Sequence, residues 1–453
     1  YTAFTFYLRE DACWTDEDET PVTAADFVFA FRRALNPGTG SDLGRTLTCI
    51  ANGQQVLDGQ ADPSELGVTA VDSKTLKIDL AYSYEDFPKL MASSAAMPCN
   101  EKFFTESQGQ YGLEAGTTLG NGPYTFSTSY SWTHGESISL SRNSLYAGEQ
   151  KPVPAGISFT IGAEIMNSAN AIANGTVDAA PITGEQLEAA HAADMNLTSF
   201  EDTALGVCFN MQDSVFQNAN IRSAFLKTLN REQVLSSLPE NYSQAQSVIP
   251  PQTTLSGENY RTLAGECSLP AYEQGQGKAY LEAGLNELQL DSLPKVTILC
   301  LDSPGAKAIV NNLLENWNSA LGYYLNLNAV SENELQSALR NGNYQLALCP
   351  LRADNDGPWE LLNLFSSENP YNPAGYQNQD YNNLLSQIKA SPGEDGAALC
   401  LQAENHLIQN LVFYPLVYEK RYFASAQNVT GIIFHPYNGG IDFIGAEKTE
   451  AEA

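Results

Sequence analysis

The chain has 453 residues, with 23 Lys plus Arg against 53 Asp plus Glu, a formal net charge of −30. Hydrophobic residues make up 43% and charged residues only 17%, which supplies packed cores and excludes a disordered polyelectrolyte. So acidic a surface repels nucleic acid and anionic lipid headgroups, and length over roughly 150 suggests two or three domains.

The chain opens at Tyr1 in mid-pattern, because TAFTFYLRE already alternates like a strand. We read it as a processed or truncated piece whose true start is missing; no signal-peptide pattern is visible. No apolar run approaches the ~20 residues of a membrane helix. The acidic run Asp16-Glu17-Asp18-Glu19 reads as a solvated turn. Thr23 precedes AADFVFAFRRAL with Asp26 three residues on, a capping box with Asp in place of Glu. Phe27, Ala30, Phe31 and Ala34 then predict the apolar face of a helix that stops before Asn36-Pro37-Gly38. GVTAVDSKTLKIDL predicts two strands around an Asp72-Ser73 turn, and SYEDFPKLMAS a short helix broken near Pro88. After the turn Gly120-Asn121-Gly122-Pro123 come the alternating YTFSTSY and SISLSR. AIANGTVD ends a helix at Asn174-Gly175 and starts a strand. From Lys295 to Leu351 the pattern is βαβαβ, which predicts parallel strands with right-handed crossovers. Its first helix carries the stripe Ala306, Ile309, Val310, Leu313, Leu314, Trp317 and Leu321. EKTEAEA closes the chain as a frayed tail.

Signatures of catalysis are missing from this pattern. Asp302-Ser303-Pro304-Gly305 follows the first βαβαβ strand where a dinucleotide site needs G-x-G-x-x-G. The four histidines, His134, His191, His406 and His435, form no H-E-x-x-H, and no G-x-S-x-G elbow or phosphate loop occurs. His406 is expected to be structural, on a helix with Ala403, Leu407 and Leu411. Asp354-Asn355-Asp356-Gly357 resembles part of a calcium loop, but Arg352 stands where an acidic residue is needed. None of the eight cysteines forms CxxC, and Cys300 and Cys349 are expected to be buried thiols. The residues alone imply a secreted, acidic, multi-domain α/β binder.

Taken together, the motifs resemble the large three-domain solute-binding proteins of ABC importers, the oligopeptide- and dipeptide-binding class. The opening strand, PVTAAD turn and helix ending at Pro37 match that family, with Asp18-Glu19 in place of its Asp-Gly pair. Gly120 to Tyr124 matches its N-G-P-Y, and Arg142-Asn143-Ser144-Leu145-Tyr146 its R-N-P-x-Y. Gly175 and Asp178, Phe209-Asn210, Ile221-Arg222 to Asn230-Arg231, Ala403-Glu404, Pro415-Leu416 and Gly431 follow in the family's order. The resemblance implies an α/β, periplasmic-binding-protein-like two-lobe fold with hinge and cleft, plus an α+β accessory domain. It places the accessory domain at 1–115, lobe I at 116–204 and 425–453 without its opening section, and lobe III at 205–424. Closure over a ligand is the implied mechanism.

The resemblance also implies the site. An Asp in a segment G-W-C-A-D-Y-x-E/D-P clamps the peptide ammonium in such binders, and here Asp354 takes that position. The preceding strand would pair with peptide backbone. The family Trp and Gly are replaced by Leu351 and Pro350, and Arg352 sits where a small residue or Cys is common. Arg352 would pair a substrate carboxylate or neutralise Asp354. Trp359 would line the cleft or join the core. Arg222 and Arg231 are expected to form a structural ion pair or cap, and Tyr376, Asn378 and Tyr381 to be structural. The implied protein is a monomeric, non-enzymatic, extracytoplasmic lipoprotein that passes peptides to the transmembrane subunits of an ABC permease. No cofactor, metal or nucleic acid is implied. The alternatives are a carrier of an oligosaccharide or metal chelate, a secreted acidic hydrolase, and a receptor without a dedicated permease.

Overall fold

The computed structural model describes residues 1–84, 87–162, 167–236, 238–322, 325–352, 356–391, 393–435 and 440–449. The chain forms two compact units. The first holds residues 1–198, 423–435 and the C-terminal stretch; the second holds 199–422. No helix among the described residues is long and apolar enough to cross a membrane.

In the first unit, strands β1 (Ala3–Tyr7), β2 (Val68–Ala70) and β3 (Thr75–Asp79) form an antiparallel sheet in the order β1–β3–β2. The helix Ala24–Leu35 packs on it. Its start is fixed as expected: Thr23 donates to the Asp26 carboxylate from its N–H at 2.7 Å and its hydroxyl at 2.9 Å. The predicted face packs on the core, with Ala30 and Phe31 buried and Phe27 and Ala34 half-buried, and the buried stripe extends beyond it to Ala24, Val28 and Leu35. Next come β4 (Tyr124–Thr125), β5 (Trp132–Thr133), β6 (Ser137–Arg142) and β7 (Gly156–Thr160), with β4, β5 and β7 all pairing β6. The predicted YTFSTSY strand shortens to two residues. The Thr128 N–H donates to the Ser131 hydroxyl at 3.1 Å, a side-chain to backbone bond that competes with the ladder. The helix Ser168–Ala173 stops at Asn174-Gly175, where Gly175 takes φ 75°, and β8 (Ala179–Ile182) follows.

The second unit is built on one sheet. Its strands are β9 (Asn196–Phe209), β10 (Tyr242–Gln244), β13 (Val296–Leu301), β14 (Leu325–Val330), β15 (Leu346–Arg352) and β16 (Phe413–Ser425). β11 (Thr254–Leu255) and β12 (Glu258–Asn259) form a separate hairpin. The sheet order is β10–β16–β9–β15–β13–β14, and β13 runs parallel to both β14 and β15, as the βαβαβ pattern predicts.

Both faces of this sheet are apolar, so its strands read as near-continuous hydrophobic runs. Leu346 and Leu348 of β15 join one core with Val207, Ile298 and the helix Pro304–Leu321. Ala347, Cys349 and Leu351 join the other with Ala204, Leu299 and the helix Glu332–Asn341. The two crossover helices therefore lie on opposite faces of the sheet. The predicted stripe on the first is buried except at Leu314, which is half-buried, and Trp317 donates its Nε1–H to the Phe225 carbonyl at 2.8 Å.

The residues expected to be structural are so. Arg222 donates to the carbonyls of Phe216 at 2.6 Å and Gln217 at 2.8 Å, and burial pushes its pKa down to about 10. Arg231 donates to the carbonyls of Pro415 at 2.5 Å, Leu416 at 2.9 Å and Ala245. Both cap backbone carbonyls. Asn378 caps the helix Gln379–Ala390, accepting from the Tyr381 N–H at 2.9 Å. His406 Nε2 lies 2.8 Å from the Tyr376 hydroxyl. Cys300 and Cys349 are buried free thiols.

Candidate ligand site

Open sheets with helices on both faces bind ligands beyond the carboxyl ends of their strands. In the second unit that end of β15 carries the residues singled out from sequence.

Leu346 to Arg352 pair along their whole length with β9, from Leu346 opposite Phe209 to Arg352 opposite Thr203. The opposite edge pairs with β13 only at Leu346 and Ala347. Among the described residues, Leu348 to Arg352 therefore have no ladder partner on that side. Pro350, which lacks an N–H, falls in this half-free stretch, the setting a sheet allows a proline. Across the ladder from Cys349 stands Gly206, where a Cβ would lie 2.4 Å from the Phe413 ring; only glycine lets β16 approach this closely.

Asp354 lies outside the described residues. The chain beyond it is anchored at Asp356, whose carbonyl accepts from the Thr254 N–H at 2.7 Å and whose carboxylate accepts from the Thr254 hydroxyl.

Leu351 is buried in the core, so only its backbone faces the free edge. Trp359 starts the helix Trp359–Asn363 half-buried against that same core, with Lys389 Nζ 4.8 Å from its ring centroid. Arg352 is different: 41% of its side chain is exposed, and its Nε lies 3.9 Å from Asp202 Oδ2.

Asp202 was not singled out from the sequence. Its side chain is fully buried, and it accepts from Arg421 Nε at 2.9 Å and from the Thr203 hydroxyl at 3.1 Å. Arg421 NH2 donates to its second oxygen. Beside it, Glu201 accepts from the Ser243 hydroxyl at 2.7 Å and faces Lys420 at 3.9 Å. The available signal was an acidic pair entering a strand that is otherwise apolar to Phe209. A buried carboxylate demands cations, but their source on β15 and β16 is a matter of pairing that one sequence does not reveal. Among the described residues, no group of three or more His, Cys, Asp or Glu is placed to hold a metal ion.

A half-free strand edge offers main-chain donors and acceptors, and the adjoining Arg352 offers a charged fork. An extended chain can add to such an edge through main-chain hydrogen bonds. The chain belongs to the family described as bacterial extracellular solute-binding proteins, family 5 Middle, whose model matches residues 1–373. It is 28% identical to the dipeptide-binding protein DppE of Bacillus subtilis, over 98% of this chain and 81% of that protein. It is 26% identical to the oligopeptide-binding protein OppA of the same organism, over 97% and 81%. Its fold matches Listeria monocytogenes OppA bound to peptide, with TM-score 0.79 and 22% identity, covering 99% of this chain and 88% of that one.

Proposed function

We propose that this protein is the non-enzymatic, extracytoplasmic receptor of an ABC importer, lipid-anchored at the cell surface, and that it captures peptides for the membrane permease. The observation that carries this reading is the match along nearly the whole chain to dipeptide- and oligopeptide-binding proteins. The half-free edge from Leu348 to Arg352 supports it, because an extended peptide adds to such an edge through main-chain hydrogen bonds. In this reading Asp354 receives the peptide ammonium, and the backbone at Leu351, the Arg352 guanidinium and the Trp359 ring adjoin the bound chain.

Calorimetric titration with pools of di- to octapeptides tests the proposal. Heat and a raised melting temperature are expected; neither with any pool overturns it. N-acetylated versions of a bound peptide test Asp354. They should bind at least tenfold more weakly, since a charge-assisted hydrogen bond is lost, and equal affinity removes the ammonium clamp.

A further inference from the structure

We propose that Asn121 is a site of spontaneous covalent modification, where the chain converts its own asparagine to aspartate and isoaspartate. The inference stands apart from the peptide reading.

The sequence holds five Asn-Gly pairs, beginning at Asn52, Asn121, Asn174, Asn341 and Asn438. The last lies outside the described residues. A glycine after asparagine leaves its main-chain nitrogen unshielded, because no Cβ stands beside it. The reaction needs only water. Hydroxide takes the proton of the glycine N–H, and the nitrogen attacks the asparagine Cγ. A C–N bond forms to Cγ, and the side-chain amide leaves as ammonia with a proton from water. Water then opens the cyclic imide at either carbonyl, giving aspartate or isoaspartate. The net change is asparagine plus water to acid plus ammonia, with nothing oxidised or reduced. Both reacting groups must be free to approach, and each hydrogen bond that must first break slows the step about fivefold.

Three of the described pairs are held in this way. Asn52 donates its Nδ2 to the Glu65 carbonyl at 2.7 Å, and the Gly53 N–H donates to Ile50 at 2.7 Å. Asn174 Oδ1 accepts from the Thr176 N–H at 3.0 Å and its hydroxyl at 2.6 Å, while the Gly175 N–H donates to Ile172 at 3.0 Å. Asn341 ends a helix, with its Nδ2 on the Ser337 hydroxyl at 3.2 Å and the Gly342 N–H on Leu339 at 3.4 Å.

Asn121 differs from all three. Among the described residues, neither its side chain nor the Gly122 N–H makes a hydrogen bond. The bonds nearby hold carbonyls instead. Thr15 donates its N–H and its hydroxyl to the Gly120 carbonyl, both at 3.0 Å, and Asn143 Nδ2 donates to the Gly122 carbonyl at 2.8 Å. The reacting atoms are left free between two fixed points. Exposure ranks the pairs the other way, because Asn121 is half-buried while Asn52, Asn174 and Asn341 are exposed. The two criteria therefore give opposite orders.

The test is timed incubation of the intact protein at mildly alkaline pH, read by peptide mass mapping with isoaspartyl detection. Asn121 should lose its amide about fivefold or more faster than each of Asn52, Asn174 and Asn341. In urea the four rates should approach one another, since all four are the same dipeptide. Gly122→Ala gives an independent arm: a Cβ at Gly122 meets nothing within 4 Å, so the fold accepts it. That variant should suppress the reaction at Asn121 and leave the other three rates unchanged. Earlier loss at any exposed pair in the folded protein overturns the proposal. So does a lead of Asn121 that persists undiminished in urea, or an unchanged rate at Asn121 in Gly122→Ala.

Discussion

Asp202 on β9 and Arg421 on β16 are joined by Arg421 Nε at 2.9 Å from Asp202 Oδ1, with NH2 on the other oxygen. The two partners differ in exposure: Asp202 is fully buried, while a third of the Arg421 side chain reaches solvent. Removing the cation strands a buried charge; removing the anion leaves arginines that can hydrate. Arg421→Met should therefore cost about 3 kcal/mol of stability, and Asp202→Asn only about 1–2 kcal/mol. Urea denaturation of both variants checks the order, and a larger loss for Asp202→Asn would refute it.

Arg231 ties two elements through main-chain carbonyls. It reaches Pro415 and Leu416 on β16 and Ala245 just after β10. Arg231→Met keeps much of the packing but leaves buried acceptors without donors. We expect a loss of about 2–4 kcal/mol, seen as a lower urea midpoint with an unchanged slope. Lys at the same position should recover only part, because one ammonium lacks the planar fork.

The βαβαβ segment was legible because its signals are local: apolar runs of strand length and a 3.6-residue stripe from Ala306 to Leu321. The family motifs made Arg222 and Arg231 readable as structural. The face of the first helix was legible in part: Phe27, Ala30, Phe31 and Ala34 pack on the core as read, while the burial of Ala24, Val28 and Leu35 is set by the sheet the helix packs on. The Asp202 cluster was not legible, because Arg352 and Arg421 stand about 150 and 220 positions from Asp202 and are brought to it only by the order β16–β9–β15.

His406 sits against Tyr376 and Tyr381, with the Tyr381 ring centroid 5.3 Å away and Asp380 nearby. Burial holds its pKa below the ordinary value of 6.5, with Asp380 opposing. The unfolded chain then takes up the proton more readily than the folded one, so stability rises with pH in that window. His406 favours folding fully above pH 6.5, and the benefit falls away as pH drops through 6.5 toward the lower folded value. The stability difference between wild type and His406→Gln should narrow from pH 7.5 to pH 5. A constant difference would show that burial does not suppress the charge. Buried Glu404 has a raised pKa and the opposite slope, but it is common to both proteins.

None of the eight cysteines is in a disulfide, and only Cys13 and Cys267 are partly exposed. Thiolate, not thiol, reacts with alkylating agents. Burial and Glu404 push Cys267 up to about 12, and its Sγ donates to Glu404 at 3.0 Å. Burial and then Glu19, Asp16 and Asp11 also raise Cys13. Iodoacetamide at pH 8 should mark Cys13 first and Cys267 slowly, as read by peptide mass mapping. The other six should react only in denaturant; early labelling of Cys208 or Cys349 would contradict their burial in the sheet.

The half-free edge of β15 gives a backbone test that no side-chain substitution supplies. If a bound peptide adds to Leu348–Arg352 as a strand, its amide N–H groups on that side are donors to the β15 carbonyls. Pro350 has no N–H to give in return, but its carbonyl still accepts. N-methylation of one peptide amide removes a donor and adds bulk toward the strand. Successive methylation along a bound tetrapeptide should weaken binding about tenfold or more at the inward-facing amides. It should change affinity little at the outward-facing ones, because neighbouring amides point to opposite sides of an extended chain. Titration of the methylated series reads this alternation directly. A uniform small effect at every position would show that side-chain pockets, and not the β15 edge, hold the peptide.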